Sequence, residues 1–228
     1  MATILVIAAH PDDEVLGCGG TIARHADMGD DVHIVIVADG LSSRQAGADR
    51  NMPSAALEAH WDCARAAAAK LGASTPVFLG LPDNRLDTVA LLDVVQVLEA
   101  EVARIAPSVV YTHHGGDLNI DHQIVHRATV TACRPLPGSA VQDLYAFEVP
   151  SSTEWGPAPS GQFTPQHFVD VSQTVERKIE ALQHYAHEMR NFPHPRSYDA
   201  VRQLAQLRGA QCGRAAAEAF TVVRRVVG

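Results

Sequence analysis

Residues 3–9 (TILVIAA) form an unbroken apolar run rich in β-branched side chains, and polar character returns only at His10. A run without alternation reads as a strand covered on both faces, the kind that sits in the middle of a parallel sheet. Behind the polar segment HPDDE, residues 15–28 can wind as a helix, and residues 31–38 (DVHIVIVA) read as a second strand ending at Asp39-Gly40. That is one βαβ unit. The rhythm continues with a helix over 55–71, a strand over 76–79, a helix over 88–105 and a strand over 108–112. Strands alternating with helices in this way predict an α/β fold, a three-layer Rossmann-like sandwich with a mostly parallel sheet.

The later chain departs from this rhythm. A helix over 121–133 stops at Arg134-Pro135, and residues 142–149 read as another strand before a Pro-, Gly- and Ser-rich loop over 150–165. A short strand over 167–171, amphipathic helices over 174–190 and 198–211, and an edge strand over 220–227 complete the expectation. There is no internal repeat, so residues 1–228 are read as a single domain.

Hydrophobic residues make up 46% and charged residues 19% of the 228, which excludes a disordered, collagen-like or coiled-coil protein. Asp and Glu number 26 against 18 Lys and Arg, a net charge of -8. Such a chain offers no general field to a polyanion, so nucleic acid is not the expected partner and anion recognition must be local. Cys18, Cys63, Cys133 and Cys212 are scattered without a CxxC pair, which favours free thiols and a cytoplasmic location over a disulfide scaffold or zinc ribbon. No basic residue precedes Arg24, and no apolar run approaches the roughly 20 residues of a membrane span, so neither export signal nor anchor is expected.

Chemistry concentrates in two segments that each follow a predicted strand, and ligands in open α/β sheets gather outside the carboxyl ends of strands. The first, His10-Pro11-Asp12-Asp13-Glu14, offers a His and two Asp within four residues, enough for two metal ligands and one carboxylate left for proton transfer. An acidic helix start would explain an Asp there but not His10. The second, residues 113–122 (HHGGDLNIDH), brings three imidazoles and two carboxylates to the same sheet edge. His122 and His126 share a helical face, but His126 reads better as a groove histidine, and His25, His33 and His60 as structural. A combined His, Asp, His set with an open position is the pattern of catalytic zinc, and equally of non-haem Fe(II). The spare carboxylate favours hydrolysis. A dinucleotide site built on Gly17, Gly19 and Gly20 fails on spacing, because Ile22 stands where a third glycine belongs and the acidic cluster would repel a pyrophosphate. Those glycines are read instead as close helix-to-sheet packing.

The strand followed by AHPDDE (residues 9–14), the Asp39-Gly40 strand end, LGLPD (79–83), the Asp121-His122 pair, Lys178, Tyr185 and AEAF (217–220) resemble the PIG-L or LmbE-like family of zinc-dependent N-acetylglucosaminyl deacetylases. The likeness spans most of the chain, and AHPDDE after a strand is its specific part. The resemblance implies a Rossmann-like fold, one zinc or other divalent ion per subunit on His10, Asp13 and His122, and Asp12 as general base. It implies a substrate as well, an N-acetylated amino sugar or sugar conjugate cleaved to acetate and a free amine, and a possible homo-oligomer.

One position departs from the family pattern: where many members carry the first His of HxxDH, this chain has Asn119, an amide that donates a hydrogen bond but shuttles no proton. Asn119 is therefore expected to assist the oxyanion, with His114 or His113 nearby, and Asp121 to orient His122 or a neighbouring loop or to cap a helix. Arg44, Arg50, Asp83 and Arg85 follow strand ends and, by the same resemblance, would hold sugar hydroxyls or phosphate. Trp155, within residues 151–155, and the stretch 193–197 could wall the sugar pocket. Two other classes stand beside this one: an Fe(II) oxygenase, which would leave Asp12 without a task, and a catalytically silent sugar-binding protein, which would not need it.

Overall fold

The first strand, β1 (Thr3–Ala8), sends alternate side chains into two separate cores, because neither of its faces meets water. Ile4 and Val6 pack beneath α1 (Asp13–Asp27), α2 (Ser54–Leu71) and α5 (Val175–Leu182). Leu5 and Ile7 pack beneath α3 (Leu91–Ile105) and α4 (Ile120–Ala132). These are the three expected layers. The computed structural model describes residues 1–44, 54–156 and 161–227.

The remaining strands are β2 (Asp31–Ala38), β3 (Val77–Leu81), β4 (Val109–His113), β5 (Asp143–Phe147), β6 (His167–Asp170) and β7 (Ala217–Arg224), and the sheet runs β3-β2-β1-β4-β5-β7-β6. β1 pairs in parallel with β2 and β4, placing Ile4 opposite Val32 on one side and Val109 on the other. The chain moves outward from β1 to β2 and β3, then returns to β4 on the opposite side. The gap beyond the ends of β1 and β4 is therefore the topological switch point, where such sheets bind ligands.

Two expectations need correction. The C-terminal strand is not an edge: β7 lies antiparallel between β5 and β6, leaving β6 at the rim. Ala217 to Phe220 are all buried, and Phe220 packs against Tyr111 with ring centroids 5.0 Å apart, an aromatic contact an edge strand would leave open. The helix expected over 174–190 ends at Leu182, followed by a 3-10 turn, Gln183–Tyr185. That turn buries Tyr185 completely and lets its hydroxyl reach Glu14, 2.6 Å away. A last helix, α6 (Tyr198–Cys212), packs against β7.

α1 is kinked at Cys18 (φ -146°), which takes the amides of Gly20 and Thr21 out of the helical ladder. Both donate to the Glu218 carboxylate of β7, at 3.0 and 2.7 Å, and Lys178 Nζ closes the arrangement at 2.6 Å from Glu218 and 2.9 Å from the Leu16 carbonyl. Gly17 is required by packing, since a Cβ there would lie 2.3 Å from the Phe147 ring. The glycines of this helix thus serve close contact, as expected. All four cysteines are free thiols, and no described helix is long and apolar enough to cross a membrane.

Candidate metal centre and its cavity

His10, Asp12 and Asp13 leave the end of β1, His113 closes β4, and Asp117, Asn119, Asp121 and His122 follow it, so the switch point assembles both segments. His10, Asp13 and His122 each turn a donor atom to one point, all within 4.8 Å of one another. His10 Nδ1 lies 3.0 Å and His122 Nε2 3.1 Å from Asp13 Oδ2. The second nitrogen of each ring faces another carboxylate: His10 Nε2 is 3.1 Å from Asp121, and His122 Nδ1 is 3.1 Å from Asp117. Carboxylates behind ligating histidines fix the tautomer and ring orientation, and both histidines here have one.

Asp121 thus turns His10, not His122. It also accepts from the backbone amides of Asn84 (2.7 Å) and Leu86 (2.9 Å), fastening the neighbouring loop, while Asn119 caps α4 by accepting from the Asp121 amide at 2.8 Å. Asp117 takes Thr153 Oγ1 at 2.6 Å and the Ser152 hydroxyl, so the chain after β5 braces His122.

The cluster fits a cation. Asp13 Oδ1 is buried without a hydrogen bond, and the 3.1 Å contacts of the two His122 ring nitrogens with Asp13 and Asp117 fall short of hydrogen-bond geometry, an arrangement costly in a protein interior unless another group satisfies these atoms. Burial opposes charge on His122, yet Asp13 and Asp117 raise it to about 9, and Asp121 and Asp13 overcome burial at His10 in the same direction. Burial would push Asp13 up, but His122, His113 and His10 hold it well below the usual carboxylate range. Positive charge is demanded at this point, and a divalent ion would replace the protons that otherwise supply it.

Asp12 stands apart from the cluster. Its φ of 110° is a left-handed conformation that costs a non-glycine residue energy. The strain is held by the buried Glu14, whose Oε2 accepts from the Asp12 amide at 3.1 Å, and by Arg196, which donates to Asp12 Oδ2 at 2.9 Å and to Ser151 Oγ at 2.8 Å. Burial pushes Asp12 up to about 7 against the pull of Arg196. Asp12, His10, Asp83, Asn84, Asn119 and Arg196 line one polar cavity of about 110 Å³.

The other expected site residues divide. Asp83 is on the cavity wall, accepting from Ser43 Oγ and Asn84 Nδ2, 3.2 Å from His10 Nε2. Asn119 reaches the cavity with its Nδ2 donated to Asn84 Oδ1 at 3.0 Å. His114 points elsewhere, to the Gly161 carbonyl and the edge of Phe163, whereas His113 stacks on His122 at 3.9 Å and accepts from the Ala9 amide. Trp155 is half exposed beside His194 and lies outside the cavity lining. Arg85 is half-buried ahead of the 3-10 turn Leu86–Thr88, and Arg44 closes the turn Ser42–Arg44. Arg50 lies outside the described residues. His126 bonds the His113 carbonyl, His25 bonds Asp30 and His33 bonds Asp31. His60, expected to be structural, is on the cavity wall. Sequence reasoning missed Arg196 as the partner of Asp12 and Asp117 as the brace of His122, although both stood in segments marked for their polar content.

Residues 5–133 match the model of the family described as GlcNAc-PI de-N-acetylase, PIG-L. An uncharacterized deacetylase of Escherichia coli K12, YaiS, is 33% identical over 75% of this chain and 82% of its own length. A 1D-myo-inositol 2-acetamido-2-deoxy-alpha-D-glucopyranoside deacetylase of a Mycobacterium species is 28% identical over 85% of this chain and 76% of its own. The crystal structure of GalB, a 4-carboxy-2-hydroxymuconate hydratase of Pseudomonas putida KT2440, superposes with a TM-score of 0.78 at 26% identity, covering 100% of this chain and 98% of that one.

Proposed function

Because the chain belongs to the PIG-L, or LmbE-like, deacetylase family, we propose that it is a zinc-dependent enzyme removing the acetyl group from an N-acetylated amino sugar or sugar conjugate. The observation that carries this reading is the carboxylate of Asp12, which lines the cavity beside a three-donor cluster in which it has no part. Zinc on His10, Asp13 and His122 would supply Lewis-acid polarisation of the acetamide carbonyl and a lowered pKa for the attacking water.

Asp12 takes the proton of that water and then delivers it to the nitrogen of the departing amine, acting first as base and then as acid. Arg196 keeps the carboxylate aimed into the cavity. Asn119 donates to the developing oxyanion after exchanging its bond to Asn84. His114, turned toward Gly161, takes no part. Asp83 meets sugar hydroxyls from the cavity wall, with Arg85 two residues beyond it in the chain and Trp155 outside the cavity lining.

A second reading is hydration of an unsaturated carboxylic acid. It is favoured by Asn119, which lacks the proton-shuttling imidazole of many relatives, and by Arg196, whose guanidinium suits a substrate carboxylate. The zinc-loaded protein is offered N-acetylated sugars and their conjugates, and separately 4-carboxy-2-hydroxymuconate, with acetate release and loss of the conjugated absorbance both followed. Acetate release that needs zinc is the expected result. Loss of conjugation with no acetate from any sugar would overturn the deacetylase reading in favour of the hydratase.

A further inference from the structure

Outside the first cluster, a second group of potential ligands sits beside the same cavity, with two of its three residues on the wall. His60 of α2 is buried, and His187 and Glu188 come from the irregular segment that replaces the end of the expected helix. His187 Nε2 lies 3.3 Å from His60 Nδ1 and 3.4 Å from Glu188 Oε1, and one donor atom from each residue falls within 4.8 Å of the others. The two imidazoles stand at 70° to one another.

Two of the three separations are those of a coordination shell. Four ligands held tetrahedrally at about 2.0–2.1 Å stand about 3.3–3.4 Å from each other, the separation found on both sides of His187. Two imidazoles and one carboxylate suit zinc-type ions and leave a position open. Two contacts hold the first donor in place. Gly40 has φ 80°, and a Cβ there would lie 2.8 Å from His60 Nε2 and 2.6 Å from the Pro11 ring, so the close of β2 can press on His60 only as glycine. The α2 helix also packs on the 3-10 turn that leads into His187. His60 and Glu188 line the cavity that holds Asp12 and Arg196.

We propose that His60, His187 and Glu188 bind a second divalent transition-metal ion at the wall of the active-site cavity, on donors separate from those of the first centre. No donor is shared between the two clusters, so each is removed without touching the other. His187 is the residue to change, because its side chain is 45% exposed and its loss leaves the cores intact. Equilibrium dialysis against zinc, with metal counted per folded chain, should give two ions for the wild type, one for His187→Ala, one for His122→Ala and none for the double variant. With cobalt as the probe, His187→Ala should lose part of the visible absorption and keep the rest. Glu188→Gln, which keeps both imidazoles, should weaken only the second binding step, by about tenfold or more. A single ion on the wild type, or two ions retained by His187→Ala, would overturn the proposal and leave a hydrogen-bonded histidine pair.

Discussion

Replacing Lys178 by Met tests whether the buried Lys178–Glu218 pair anchors the helix that carries Asp13 of the candidate metal centre. Lys178 and Glu218 side chains are 5% and 4% exposed, so neither can recover its partner from water. Removing the lysine leaves the Glu218 carboxylate with three donors, the amides of Gly20 and Thr21 and the Thr21 hydroxyl, and leaves the Leu16 carbonyl without Nζ. An uncompensated buried charge costs about 3–5 kcal/mol, and the three remaining donors place this case near the lower end. For a chain of this size about 2–4 °C is lost per kcal/mol, so the melting temperature should fall by roughly 6–12 °C. Lys178→Met combined with Glu218→Gln removes both charges and should recover about 1–2 kcal/mol of the single-variant loss, a coupling that a double-mutant cycle in urea measures directly. Because Glu218 grips α1 just beyond the segment that holds Asp13, Lys178→Met should also weaken zinc binding. A loss below about 1 kcal/mol in Lys178→Met, or a double variant no more stable than the single, would refute the reasoning.

Asp121→Ala deprives His10 of its carboxylate and strands the amides of Asn84 and Leu86, so zinc affinity should fall by about 10–100-fold, read by competition with a chelating dye. Tyr185→Phe removes the hydroxyl from Glu14, which supports the strained Asp12; stability should drop by about 1–2 kcal/mol in urea, with a larger fractional loss in kcat than in zinc content. Asn119→Ala deletes the cap of α4 at a cost of about 1 kcal/mol, and turnover should fall while His114→Ala leaves it unchanged. Chelation should lower the melting temperature, and zinc at a thousand times its Kd should restore about 4 kcal/mol, visible in a thermal melt.

The layers and the two segments that form the candidate metal centre were legible because their signals are local. β1 announces itself by an apolar run, and HPDDE by its place at the end of that run. The pairing of His113 rather than His114 with the centre follows from strand alternation: Tyr111 and His113 share one face of β4, and the next residue turns away. What was not legible depends on distant partners. Arg196 meets Asp12 across 184 residues, and nothing in its neighbours states that it must. The place of β7 inside the sheet is set by pairing with β5 and β6, not by its own pattern, and the early end of α5 is set by the burial of Tyr185 beneath Glu14.

Metal content and acetate release, measured on the same samples of wild type, Asp12→Asn and His122→Ala with an N-acetylated sugar, test the assignment most directly. Asp12→Asn should match the wild type in metal and lose about 10²–10⁴-fold in acetate release, whereas His122→Ala should hold one ion fewer and release none. Full activity in Asp12→Asn, or wild-type metal content in His122→Ala, would contradict the account.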